Sequence, residues 1–140
     1  MDRVILGRAV VAGSAEGIAL VAKQPLSFWG GLNPDSGEII DRRHDRSGEV
    51  VSGKVFVFPQ GKGSSSSSAI LLESAKTGSA PLAIINCRVD PILALGAILA
   101  DELYHYTIPY VVVSEEDLAS IADGARVVIQ VNGTLRVACD

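Results

Sequence analysis

Four consecutive apolar residues, Val55-Phe56-Val57-Phe58, are stopped at once by Pro59. Successive side chains of a strand point to opposite faces, so a strand apolar at every position must be covered on both sides. Residues 82–86, Leu-Ala-Ile-Ile-Asn, repeat the requirement. The chain therefore needs helices or further sheet on each side of a central layer. Its 140 residues, 48% hydrophobic and 20% charged, are of a size and balance that pack a core. At that length one domain over residues 1–140 is expected. A net charge of −4 leaves no long basic face, which excludes a general nucleic-acid or membrane-surface binder. The longest apolar run, Ile92 to Ala100, is nine residues, against the ~20 that span a bilayer. Arg8 and Glu16 interrupt the N-terminal apolar stretch, so no secretory signal is read and a cytoplasmic location is expected.

Residues 4–11 and 18–22 read as strands around the turn Gly13-Ser14-Ala15-Glu16-Gly17. A loop over 25–37 carries Phe28-Trp29-Gly30-Gly31, and the highly charged stretch 41–47 reads as a solvated loop. Residues 65–76 predict a helix whose apolar face is Ala69, Leu72 and Ala75, widened by Ile70 and Leu71, with Gly78 just past its end. Asp90 caps a second helix with Pro91 in its first turn, running to about Tyr104. That helix is apolar nearly all round through Ala100 and should be largely buried. Residues 110–113 are a strand and 115–121 a short helix. In the last segment Val127, Ile129 and Val131 alternate, Asn132-Gly133 supplies a two-residue hairpin turn, and Leu135 and Val137 alternate back. Strands at both ends with β-α units between them give a compact α/β domain of mixed β structure with two main helices, not an open doubly wound sheet.

Chemistry concentrates in Pro59-Gln60-Gly61-Lys62-Gly63-Ser64-Ser65-Ser66-Ser67-Ser68. A strand ends at a proline, two glycines frame a lysine, and serines lead into a helix. Such a corner suits an anion: glycines let backbone N–H groups approach a ligand, and a helix N-terminus presents unpaired donors. Ser64 stands where an N-cap is expected, and a serine-rich helix start also needs no ligand at all. The segment is not a P-loop, because Lys62 is followed by Gly63 rather than by Ser or Thr. His44 and His105 have no partner at a metal-ligand spacing. Cys87 reads as a small core residue in a strand and Cys139 as a thiol at the chain end, too few cysteines for an iron–sulfur site. No metal is expected in this chain. Phe28 and Trp29, beside two glycines, fit a satellite core or a surface that meets a partner equally well.

The Gly61-Lys62-Gly63-Ser64-Ser65 turn resembles the Gly-x-Gly-Ser-Ser turn of swivel domains in the aconitase superfamily. Further segments narrow the resemblance: Glu16-Gly17-x-Ala19-Leu20-Val21, Pro25-Leu26-Ser27-Phe28-Trp29-Gly30-Gly31 and Asp35-x-Gly37-x-Ile39-Ile40-Asp41. After the turn come Gly78-x-Ala80-Pro81-x-Ala83-Ile84-Ile85 and Asp90-Pro91-Ile92. Over most of its length the chain is similar to the small, swivel subunit of aconitase X enzymes. The resemblance implies a swivelling β/β/α fold and the small subunit of a hydro-lyase. It implies a large catalytic partner subunit that holds an iron or iron–sulfur centre and most substrate contacts, with no cofactor in this chain. Ser64 would be the catalytic base that removes the substrate's proton. Gly61, Lys62, Gly63, Ser65 and Ser66 would shape the turn and bind the substrate's anionic end. Aconitase itself has an arginine after its serine pair, and Ser66 occupies that position here, which argues against a tricarboxylic acid substrate. Known aconitase X proteins dehydrate cis-3-hydroxy-L-proline or mevalonate 5-phosphate. Ser65-Ser66-Ser67-Ser68-Ala69 leans toward the hydroxyproline type, while Lys62 could face either a phosphate or a carboxylate.

Two rival readings remain. Residues 96–112 also resemble the end of phosphohistidine swivel domains, but no histidine stands near Leu95-Gly96, where the phosphoryl carrier would be, so only shared architecture is implied. The other alternative is a non-catalytic interaction or adaptor domain with the same fold, in which the serine-rich turn is only a helix start.

Overall fold

The computed structural model describes residues 2–138. In chain order the elements are β1 (Asp2–Leu6), β2 (Arg8–Val11), β3 (Ala15–Val21), the single kinked turn α1 (Phe28–Gly31), β4 (Val55–Val57), α2 (Ser67–Thr77), β5 (Ala83–Asn86), α3 (Pro91–Tyr104), β6 (Tyr110–Val112), α4 (Glu115–Ala119), β7 (Arg126–Ile129) and β8 (Thr134–Ala138). The strands form one eight-stranded sheet in the order β1-β8-β7-β3-β4-β5-β6-β2. Strands β3, β4, β5 and β6 are parallel, and the remaining pairings are antiparallel.

The both-sided strands behave as their sequence demands. Val55 and Val57 of β4 and Ala83 and Ile85 of β5 point into a core lined by Ile5, Val111, Val127, Ile129, Leu135 and Val137. Phe56, Phe58 and Ile84 point the other way, into a second core under α2 and α3 that holds Leu71, Ala75, Leu93 and Ala97. Phe56 and Phe58, two residues apart on one face, stack at 4.3 Å between ring centroids, with Phe28 beside them at 6.1 Å from Phe58. This is a mixed α/β fold with a nearly closed sheet and two main helices on one side, as the sequence led us to expect.

Several local expectations are corrected. Residues 4–11 are not one strand: Gly7 breaks them into β1 and β2, which pair with β8 and β6 at opposite ends of the strand order. A Cβ on Gly7 would sit 2.7 Å from the carbonyl oxygen of Gly133, so only glycine lets the chain cross there. Nor do β2 and β3 form a hairpin, since β3 pairs with β7 through its first half and with β4 through its second. The C-terminal hairpin has a three-residue loop rather than two. Ile129 opposes Leu135, Gln130 N–H donates to Thr134 O, and of Val131, Asn132 and Gly133 only Gly133 has positive φ (+92°). With Gly133 N–H donating to Gln130 O, this is a tight turn closed by a left-handed glycine.

Helix α2 buries Leu71 and Ala75 and packs Ile70 and Leu72 against the core as expected, while α3 is less fully covered than expected. Helix α2 turns Ser67, Leu71, Ser74 and Ala75 inward and leaves Ala69 exposed. Two of its core-facing positions are serines, which an apolar pattern does not register; Ser74 Oγ satisfies itself by donating to Leu71 O at 2.6 Å. Helix α3 buries Leu93, Ala94, Gly96, Ala97 and Ala100 but exposes Leu95 and Ile98 to nearly half their surface. Its cap is as expected: Asp90 Oδ1 accepts from Ile92 N–H at 2.9 Å, and Pro91 opens the first turn. Among the described residues no helix is long and apolar enough to cross a membrane.

Candidate active site

Helix α2 is preceded by the turn that carries Gly61, Lys62, Gly63, Ser64, Ser65 and Ser66. The structure brings all six together between the end of β4 and the start of α2. Ser64 is not the N-cap; that position is Ser66, which makes no side-chain cap bond. The cause is a separate tight turn ahead of the helix, in which Ser67 N–H donates to Ser64 O at 3.1 Å. Within it Ser66 N–H donates to Ser64 Oγ at 3.0 Å. Ser64 Oγ therefore receives a backbone donor and has its own proton free. Ser64 is half-buried, whereas Lys62, Ser65 and Ser66 are exposed.

The turn is held rigidly from two sides. A Cβ on Gly61 would overlap the Asp90 carboxylate at the start of α3, so Gly61 permits the contact between the turn and that helix cap. Gly63 has φ +90° and lies where a Cβ would be 2.8 Å from Ser27 Oγ. Beneath, Tyr110 Oη donates to Asn86 Oδ1 at 2.6 Å and accepts from Asp90 N–H at 2.9 Å, while Asn86 Nδ2 donates to Phe58 O at 2.9 Å. Burial is the main cause that pushes the Tyr110 hydroxyl up to about 12. This chain of bonds ties the end of β4, the end of β5 and the start of α3 into one platform under the turn.

On the other side runs residues 24–26. Leu26 N–H donates to Gln60 O at 3.3 Å and Lys62 N–H to Leu26 O at 3.2 Å, a parallel bridge between Leu26 and Gly61. The same strap holds the charged stretch 41–47, which is not simply a solvated loop. His44 is 6% exposed. Its Nε2–H donates to Gln24 O at 3.1 Å and its Nδ1 accepts from Arg46 N–H at 3.1 Å. Arg43, Asp41, His44, Gln24 and Lys62 thereby border a common polar cavity of about 570 Å³. Nothing in their spacing signals this; residues some twenty positions apart meet only because the strap lies between them.

Phe28 and Trp29 differ sharply in burial, Phe28 belonging to the main core. Phe28 is fully buried, and Trp29 is 57% exposed with its N–H donating to Ser67 Oγ at 3.1 Å, close to the serine turn. Cys87 lies one residue beyond β5 rather than in it, half-buried, with burial raising its thiol. It borders a second cavity of about 880 Å³ at the carboxyl ends of β3, β4 and β5, with Val21, Pro59, Leu118 and Ile121. Cys139 lies outside the described residues. Among the described residues no three His, Cys, Asp or Glu side chains come together, so they offer no donor set for an iron centre.

Residues 4–137 match the family described as the aconitase X swivel domain. The chain is 40% identical over 129 residues to the phosphomevalonate dehydratase small subunit of Methanosarcina acetivorans, covering 91% of this chain and 84% of that protein. It is 45% identical over 127 residues, 86% of its length, to the cis-3-hydroxy-L-proline dehydratase of Pseudomonas aeruginosa. It spans only 22% of the length of that relative. Among solved structures it is similar to Thermococcus kodakaraensis aconitase X in its holo form, with a TM-score of 0.89 and 35% identity over 98% of this chain and 99% of that one.

Proposed function

Because the chain belongs to the aconitase X swivel-domain family, matched over residues 4–137, we propose that it is the small subunit of a hydro-lyase. It acts as one swivel domain with a large catalytic subunit and removes water from a small hydroxy acid. The substrate is cis-3-hydroxy-L-proline or mevalonate 5-phosphate, the compounds in the names of the dehydratases it resembles. Ser64 takes a proton from the carbon next to a carboxylate, or an equivalent carbon. The C–H electron pair becomes the new double bond and hydroxide leaves the adjacent carbon, so that the proton taken by Ser64 and the departing hydroxide together account for the one water lost. The iron or iron–sulfur centre is assigned to the large subunit.

The observation that carries this reading is the Ser66 N–H donating to Ser64 Oγ at 3.0 Å, where negative charge would develop. Magnitudes show how far that takes the chain. A free hydroxyl gives up its proton only far above neutrality, so a base working near neutral pH needs its anion stabilised by about 11 kcal/mol, at ~1.4 kcal/mol per tenfold. One hydrogen bond to an anion contributes ~1.5–3 kcal/mol, and a helix N-terminus at most ~2. Together these leave more than half of the requirement for cationic groups from the partner and exclusion of water.

The test is to co-express the chain with its large subunit and offer both substrates. Dehydration of one of them by the wild-type pair, lost in Ser64→Ala with assembly intact, is expected. A stable complex in which Ser64→Ala leaves turnover unchanged would remove Ser64 as the base. Absence of any complex would favour the adaptor reading, in which Ser64→Ala loses only the bond from Ser66 N–H and costs about 1 kcal/mol of stability.

A further inference from the structure

Arg43 and Lys62 border the same cavity of about 570 Å³, together with Gln24, Pro25, Asp41 and His44. We propose that this cavity is the subsite for the oxyanion end of the substrate, and that Arg43 supplies the second cation beside Lys62. The inference rests on the hydro-lyase reading of Ser64 and adds to it a specificity-determining residue outside the glycine–serine turn.

Three observations support it. First, both cations are uncommitted. Several other cations also lack an ion pair, but among the described residues only Arg43 and Lys62 border this cavity. Among the described residues the side chains of Arg43 and Lys62 take part in no hydrogen bond or ion pair. The one carboxylate in the cavity, Asp41, is partly engaged, because its Oδ1 accepts from Arg43 N–H at 3.0 Å. Two positive side chains against one carboxylate leave a net positive cavity, suited to a phosphate or carboxylate group.

Second, the walls are built. Asp45 accepts from Lys23 N–H at 2.8 Å and from Gln24 N–H at 3.2 Å, and Gln24 Oε1 accepts in return from Asp45 N–H at 2.9 Å. Buried His44 adds the bond from its ring to Gln24 O. Through Leu26 the same strap bonds to Gln60 and Lys62. The separation of the Arg43 and Lys62 backbones is therefore set by a hydrogen-bonded strap, not by two independent loops. Third, Lys62 lies two residues before Ser64 on one turn, whose backbone is bonded to the strap through Leu26. A substrate anchored by its anionic end at Lys62 and Arg43 is held at a defined place relative to the base, which is how remote binding groups position a reacting carbon.

Arg43 is exposed and bears no structural contact through its side chain, so Arg43→Gln should fold as the wild type does. In the reconstituted pair Arg43→Gln is expected to raise KM about ten- to hundredfold with a smaller change in kcat, and Arg43→Lys to recover part of the loss. Ser64→Ala affects kcat instead, which separates the two roles. Independently of turnover, the full chain is titrated with inorganic phosphate and, in parallel, acetate, followed by amide NMR. The amides of Gln24, Arg43 and Lys62 should shift together and saturate in the wild type, and not in Arg43→Gln. The anion giving the tighter response names the group the cavity takes. If the wild-type pair dehydrates neither substrate, the hydro-lyase reading fails and the titration alone decides the cavity. An unchanged KM in Arg43→Gln overturns the proposal, as do amides indifferent to both anions or shifts that survive the substitution.

Discussion

Gly61, with no side chain, sets the height of the glycine–serine turn above the start of α3, because a Cβ there would run into the Asp90 carboxylate. Gly61→Ala should therefore lower stability by about 1–3 kcal/mol in denaturant titration and displace Lys62 and Ser64 together. Substitution at Tyr110 tests the platform from below. Tyr110→Phe strips a bond each from Asn86 Oδ1 and Asp90 N–H, and about 1–3 kcal/mol of stability should be lost. The pH dependence has a definite sign. The Tyr110 hydroxyl titrates at about 12 in the fold against an ordinary 10. Its neutral form is the one the fold favours, so its contribution is full below about 10 and fades as pH rises through about 12. Melting temperatures recorded across that window should fall less steeply in Tyr110→Phe than in wild type. At this scale the turn at residues 61–66 was legible as a break between a buried strand and a helix, because Pro59, two glycines and a run of serines stop one element and start the next. Arg43 was not legible, since its partner in the cavity is brought to it by hydrogen bonds of Gln24 and Leu26 that no spacing rule encodes.

Helices α2 and α3 cross where Gly96 faces Ser68 O and Leu71, at 3.0 and 3.2 Å from where a Cβ would be. Gly96→Val should push the helices apart, at a cost of about 1–3 kcal/mol, and calorimetry or chemical denaturation would record it. A wild-type melting curve for Gly96→Val would mean the crossing is looser than its geometry implies. The sequence located both helices to within a few residues because Asp90-Pro91 and Gly78 are strong start and stop signals. Only the serines of the inward face of α2 escaped it, because Ser67 and Ser74 occupy core positions and satisfy their hydroxyls locally or against the Trp29 backbone N–H. For α3 the opposite held: its run of apolar residues predicted burial all round, yet only one side of it has an element to pack on. Strands β4 and β5 were the firmest reading, since an apolar residue at every position admits no other solution than a covered sheet.

For the molecule as a whole, the energetic shortfall at Ser64 makes a plain prediction. The purified chain should dehydrate neither candidate substrate, and adding the large subunit should restore turnover; measurable turnover by the chain alone would contradict the shared site. What sequence could not convey was the route of residues 2–11, because a strand break at a single glycine leaves the alternation of apolar residues unaltered. That route has a further meaning. β1 and β2, joined only through Gly7, occupy the two outermost positions of the strand order, so one short ribbon serves as the clasp that fastens both margins of the sheet. If this clasp were cut away, β8 and β6 would each present a bare row of amide and carbonyl groups on the same molecule. A chain shortened by its first eleven residues should then behave as a two-ended building block. Light scattering should reveal strand-exchanged oligomers or open polymers, and a synthetic peptide of the missing ribbon should cap them.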